Sequence, residues 1–316
     1  MQDKNGVLYG VTGAGGANAF GTVYSLAPPS SHGGGWTFTV LHDFAGGSDG
    51  FYSQTGLSMD SNGVLYGVTY KGGTFNGGVA YSVTPPATAG GTWTEAVVHH
   101  FGWSGDGLNP TGIAVGPKGV LYGTTLEAGA TCCGGIVFSL KPGPVPGNPW
   151  TETILYSFLS GSDGAQPQGS SAFDKHGVIY GTTRIGGLGS SHQLGTVFSL
   201  SPPTSPGGTR TKTTIYEFQG RSNADGAQPN GVVRTANGVL YGATGGGGHQ
   251  GDGGTVYALT PPASAGSPWT ERVLYRFANT HGLIPVGPLL VQNGVLYGTC
   301  SGGGAYYEGT VFSLVP

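Results

Sequence analysis

The chain has 316 residues, of which 65 are Gly and 21 are Pro, while only 9% are charged. A net charge of -3 supplies no basic face for a phosphate backbone, so nucleic acid is not an expected partner. No run of 18 or more apolar residues occurs, so no membrane-spanning helix is expected.

A Gly followed by Val-Leu-Tyr-Gly, or by Val-Ile-Tyr-Gly in the fourth copy, recurs six times. The opening residues are Gly6, Gly63, Gly119, Gly177, Gly238 and Gly294. A period of 56–61 residues marks one supersecondary unit that buries its apolar faces only when neighbours stack on it. We label the four apolar stretches of each period A to D, with the tetrad in B. In chain order, the first repeat has C at 21–26 and D at 36–44. The second has B at 64–69, C at 78–83 and D at 93–101. The third has A at 112–116, C at 135–140 and D at 150–158. C and D follow at 195–200 and 210–218 in the fourth, and at 254–259 and 269–277 in the fifth. The sixth has A at 287–291 and C at 309–314.

These stretches are short, rich in Val, Ile, Thr, Tyr and Phe, and without helical spacing, so each predicts a strand. The A–B links, such as Asn62-Gly63 and Asn237-Gly238, predict tight hairpins with two successive positive φ angles. The C–D links carry Pro pairs, such as Pro85-Pro86, which cannot donate to a ladder and so predict loops. The expected architecture is an all-β, six-bladed β-propeller of four-stranded antiparallel blades, forming one domain over 1–316. Residues 1–5 hold only a turn, and the chain stops after the sixth C. The A strand of the first blade and the D strand of the last are therefore expected to be missing. Unpaired strand edges of that kind offer a template for self-association.

The layout is similar to kelch-type blades, with Gly-Gly after the second strand and Trp opening the fourth. It resembles more closely the Gly-rich bacterial tandem-repeat family called GloVer, known from exported proteins with varied anchors. The pattern Gly-x-Leu-Tyr-Gly-Thr-Thr, Gly-Gly, Gly-Thr-Val-Phe, then Phe-x-x-x-Asp-Gly-x-x-Pro covers nearly all of the chain. The resemblance implies a secreted or cell-surface propeller and assigns no catalytic residue. No signal segment is visible in residues 1–4.

The B–C and D–A loops are the long ones and project from one end of each blade, where binding residues tend to sit. The D–A loops share Asp49-Gly50, Asp106-Gly107, Asp163-Gly164 and Asp225-Gly226. These Asp read as acceptors for their own backbone two residues on. Residues that break the repeat are the better ligand-binding candidates: Trp103, Tyr52, Tyr70, Arg184, His249, His281, Tyr306 and Tyr307. Aromatic faces among sparse polar groups suit sugar rings. His249 and Asp252, with His281 from the next blade, form a weak metal-ligand set. The D-strand column His42, His99, Tyr156, Tyr216 and Tyr275 reads as packing. Cys132, Cys133 and Cys300 make no disulfide framework.

No P-loop or His-Glu-x-x-His motif occurs, and no cofactor is expected. The expected function is extracellular binding or adhesion, with carbohydrate as ligand. One alternative is a polysaccharide hydrolase or lyase using carboxylates such as Asp106, Glu127, Asp163 or Asp252. The other is a structural subunit that assembles through incomplete blades.

Overall fold

Want of space explains the Gly that closes each tetrad. In the computed structural model, a Cβ on Gly123 would stand 2.3 Å from Cζ of Phe138, and one on Gly181 would stand 2.6 Å from Cζ of Phe198. The ring on each third strand lies across the backbone of the second, and any side chain there would displace it. The structure describes residues 1–316 apart from 32, 54, 89, 103–104, 132, 146–148, 188–193, 206, 221–223, 249–252, 265 and 279–281.

Six sheets follow one another along the chain. The first holds β1 (Leu8–Thr12), β2 (Thr22–Ala27) and β3 (Thr37–Asp43). The second holds β4 (Ser58–Met59), β5 (Leu65–Thr69), β6 (Val79–Thr84) and β7 (Thr94–His100). The third holds β8 (Leu108–Val115), β9 (Leu121–Glu127), β10 (Ile136–Lys141) and β11 (Thr151–Ser157). The fourth holds β12 (Ala165–Phe173), β13 (Ile179–Ile185), β14 (Thr196–Ser201) and β15 (Thr211–Glu217). The fifth holds β16 (Ala227–Arg234), β17 (Leu240–Gly246), β18 (Thr255–Thr260) and β19 (Thr270–Arg276). The sixth holds β20 (Leu283–Gln292), β21 (Val295–Gly302) and β22 (Thr310–Leu314). Strands pair in sequence order within each sheet, and the sheets are the six blades of an all-β propeller. The chain divides into two compact units, 1–129 with 137–154, and 130–136 with 155–316.

Aromatic side chains join successive blades inside each unit. A Phe just beyond the fourth strand meets the third-strand ring of the next blade. In the first unit these pairs are Phe44 with Tyr81 (5.1 Å) and Phe101 with Phe138 (4.9 Å). In the second they are Phe158 with Phe198 (5.2 Å), Phe218 with Tyr257 (5.1 Å) and Phe277 with Phe312 (4.9 Å). All but Phe312 are buried, and full burial of such a ring stabilises by about 1.5–3 kcal/mol. The tetrad Tyr packs on the Trp that opens the fourth strand of the following blade, as Tyr66 does on Trp150 and Tyr180 on Trp269.

Three sequence expectations need correction. First, the A strands begin earlier than the residues after Pro-x-Gly: β8, β12, β16 and β20 take in Pro110, Pro167, Pro229 and Pro285. Each strand has a register shift close to its Pro, and a bulge is where a strand tolerates a residue without an N–H. Second, only two A–B turns have two successive positive φ angles, at Lys118-Gly119 and Asn293-Gly294. In three others an Asp organises the turn. Asp60 Oδ1, for example, accepts from the backbone N–H of Asn62 (2.8 Å) and Val64 (3.0 Å), so Gly63 alone takes positive φ. Third, the A position of the first blade does not lie vacant. Gln2 pairs with Leu8, and Met1 and Tyr9 exchange hydrogen bonds at 2.8 Å. The first and last sheets each carry three named strands, a count that does not mark either blade as incomplete.

Candidate functional site

In the first unit, one D–A loop stitches two B–C loops together. Tyr52 N–H donates to Phe20 O (3.4 Å), Tyr70 N–H donates to Tyr52 O (3.1 Å), and Phe51 and Lys71 exchange backbone bonds. This brings four rings to one end of the blades. Phe20 lies 5.5 Å from Phe51, Phe51 lies 5.1 Å from Tyr52, and Lys71 Nζ stands 5.3 Å from the centre of the Tyr70 ring. Tyr52 is 44% exposed, and Phe75 on the neighbouring loop is 60% exposed.

Tyr52 and Tyr70 therefore come together as the loop pattern expects. Arg184 is exposed at the end of β13 in the second unit. Tyr306 and Tyr307 project from the last B–C loop, 87% and 72% exposed. Trp103, His249 and His281 lie outside the described residues, as does Asp252, and with them the whole His249–Asp252–His281 metal set. Cys133 is exposed, and burial pushes the Cys300 thiol up.

Tyr52 also belongs to a column that sequence reading missed. Tyr52, Asn109, Gln166, Gln228 and Ile284 all take φ between 55° and 60°. Each donates its N–H to a carbonyl just ahead of the preceding blade's third strand; the Asn109 to Gly77 bond is 2.7 Å and the Gln228 to Leu194 bond 2.8 Å. This left-handed conformation costs a non-glycine residue free energy, and the inter-blade bond holds it there. The signal lay in the Asp-Gly-x-x-Pro pattern, whose second x is this residue.

The two columns read separately from sequence, Asp in the loops and His or Tyr on the fourth strands, meet in space. His42 Nε2 stands 3.2 Å from Asp49 Oδ1, and His99 Nε2 stands 2.8 Å from Asp106 Oδ1. The hydroxyls of Tyr156 and Tyr216 donate at 2.7 Å to Asp163 and Asp225. Each His or Tyr ring also stacks edge-on against the Phe two residues on, as His42 does on Phe44 at 4.9 Å, so the packing role holds as well. The Asp carboxylates accept backbone N–H groups from upstream rather than two residues on. Asp106 Oδ2 accepts from Gly102 (2.7 Å) and Asp163 Oδ2 from Leu159 (2.8 Å). The expected local turn is corrected accordingly: the carboxylate ties its loop back to the end of the preceding strand.

A third side chain arrives from the fourth strand of the following blade. Glu95 joins His42 and Asp49, and Glu152 joins His99 and Asp106. Lys212 joins Asp163 at 3.2 Å, and Glu271 lies near Tyr216 and Asp225. Burial first, then the Asp49 charge, pushes the Glu95 carboxyl up to about 7. Burial and then Asp106 push Glu152 up to about 9. Burial disfavours the charged His42 ring, but its Asp49 hydrogen bond and the surrounding carboxylates outweigh that and raise its pKa. Burial and then Asp225 hold the Tyr216 hydroxyl protonated well above its ordinary range.

No helix among the described residues is long and apolar enough to cross a membrane. No curated protein matches the chain in sequence. Solved structures resemble it in fold. The PQQ-bound aldose sugar dehydrogenase of Streptomyces coelicolor is 15% identical over 99% of both chains, with a TM-score of 0.58. An α-L-arabinanase of Penicillium chrysogenum is 16% identical over 100% of this chain and 91% of its own, with a TM-score of 0.58. A gluconolactonase of Xanthomonas campestris is 14% identical over 93% of this chain and 79% of its own, with a TM-score of 0.54. At such identities the likeness shows the fold alone. Sequence likeness goes further: the model of the Gloeobacter/Verrucomicrobia repeat matches residues 1–191 and again 135–316, so the chain belongs to that family.

Proposed function

We propose that the protein is an extracellular or cell-surface propeller, one domain over 1–316, that binds carbohydrate through aromatic side chains on its long loops. The observation carrying this reading is the group Phe20, Phe51, Tyr52 and Tyr70, held together by backbone bonds between three loops, with Tyr52 and Phe75 open to solvent. Sugar C–H faces stack on such rings, and sparse polar groups take the hydroxyls. The sugar-related activities named for three solved neighbours agree with the reading. Low charge and many Gly residues suit an exported repeat protein.

The test is binding to a glycan array and to insoluble polysaccharides, with Tyr52→Asn as the variant. Asn tolerates the φ of 60° at this position, so the ring is removed without refolding the loop. Binding should weaken about ten-fold, the equivalent of about 1.4 kcal/mol. Absence of binding to any glycan, or equal binding by the variant, would overturn the reading. Release of reducing ends from a bound polysaccharide would replace binding by catalysis.

A further inference from the structure

Two of the inter-blade clusters are alike in all three side chains. In each, a His from a fourth strand, an Asp from the loop after it and a Glu from the next fourth strand present ligand atoms within 4.8 Å of one another. The Asp carboxylates are already half used, because Oδ2 of Asp49 accepts from Ala45 N–H and Oδ2 of Asp106 from Gly102 N–H. Oε1 of Glu95 and Oε1 of Glu152 are buried and accept no hydrogen bond. Two carboxylates and one imidazole at this spacing need a positive charge or a shared proton between them.

The third copy of the cluster shows what the position holds when the triad changes. There Tyr156 replaces His and Lys212 replaces Glu. The ammonium of Lys212 stands 3.2 Å from Asp163 Oδ1 and donates to Asp163 O at 2.6 Å. A cation is thus built into the equivalent place exactly where the second carboxylate is lost. In the fourth copy, Tyr216 again replaces His, and the positive charge of Arg276 acts on Glu271. In the two copies with His, the ion pairs seen among the described residues are with the imidazole itself, and the His42 charge also acts on Glu95.

We propose that His42, Asp49 and Glu95, and equally His99, Asp106 and Glu152, are two equivalent sites for a first-row divalent metal ion. Imidazole with carboxylate favours zinc or its neighbours over calcium, which prefers oxygen ligands alone. Tetrahedral ligation at about 2.0–2.1 Å sets ligand atoms roughly 3.3 Å apart, close to the 3.2 Å between His42 Nε2 and Asp49 Oδ1. His99 and Asp106 are each about one-fifth exposed, which lets water complete the coordination. The sites use no side chain of the aromatic loop group, although Asp49 stands three residues before Tyr52 on the same loop.

The experiment is calorimetric titration of the chelator-stripped full chain with zinc, and with calcium in parallel, alongside circular dichroism of every variant. Zinc is expected to bind at two equivalents and to raise the unfolding temperature, with calcium far weaker. Glu95→Gln and Glu152→Gln should each remove one equivalent. The converse variant carries Tyr156→His and Lys212→Glu together, which rebuilds the triad in the third copy and should add one equivalent. Zinc stoichiometry unchanged by both Gln variants, or absent from the parent, would overturn the proposal. The two carboxylates would then share a proton, and either Gln variant would keep or raise the unfolding temperature without any metal.

Discussion

Replacing Gly123 by Ala tests the idea that the tetrad Gly exists to admit the third-strand ring. The new Cβ would lie 2.3 Å from Phe138 Cζ and 2.5 Å from Gly112 O. Neither neighbour yields readily: the first is a fully buried ring held 4.9 Å from Phe101, and the second is backbone of the adjacent strand. Overpacking of this kind costs about 1–3 kcal/mol. The backbone of Gly123 is not in the left-handed region, so Ala recovers about 0.4–1 kcal/mol by restricting the unfolded chain. A net loss of about 1–2 kcal/mol is expected, read as a lower midpoint in urea with the slope unchanged. Phe138→Leu shortens the offending side chain, so the double variant should lose less than the sum of the single losses, a coupling seen only between groups in contact. Gly123→Ala at parental stability, or strict additivity with Phe138→Leu, would refute the steric account.

Two further outcomes follow from the inter-blade clusters. Lys212→Met removes the ammonium held against Asp163 Oδ1 at 3.2 Å and Thr214 at 2.9 Å, and should cost about 1.5–3 kcal/mol in urea unfolding; an unchanged midpoint would show the pair to be inert. Glu271 is held up at about 7, by burial first and then by Asp225, against an ordinary 4.5. Its folded state keeps a proton that the unfolded chain releases. Its stabilising contribution is therefore complete below about pH 4.5 and is lost as the pH rises through 7. Glu271→Gln cannot lose that proton, so its stability relative to the parent should increase from pH 5 to pH 8 in denaturant titrations, and a constant difference would contradict the assignment.

The six blades were legible because period and residue type act locally. A tetrad with a β-branched residue, an aromatic and a closing Gly, preceded by another Gly and repeated at a near-constant step, leaves few folds in which every copy is buried alike. The long-loop end could be read for the same reason, since strand order alone puts the B–C and D–A loops together. Tyr52 and Tyr70 were reached in this way, because they depart from what the other repeats carry at their positions.

Pairing between columns was not legible. Asp106 and His99 are seven residues apart, but Glu152 is 46 residues further along, on another blade, and nothing local links it to either. Judged one column at a time, the Asp and the ring each had an adequate local explanation, a turn acceptor and a packed side chain, and the Glu drew no reading. The left-handed turn at Asn109 was hidden likewise, because its hydrogen bond is to Gly77 of the preceding blade. The amino-acid order by itself determined the repeat, the strands and the glycines, since these answer to chain-local sterics and periodic burial. Only the tertiary structure decided which charges face one another, because blade stacking brings together residues whose spacing along the chain records nothing of their distance in space.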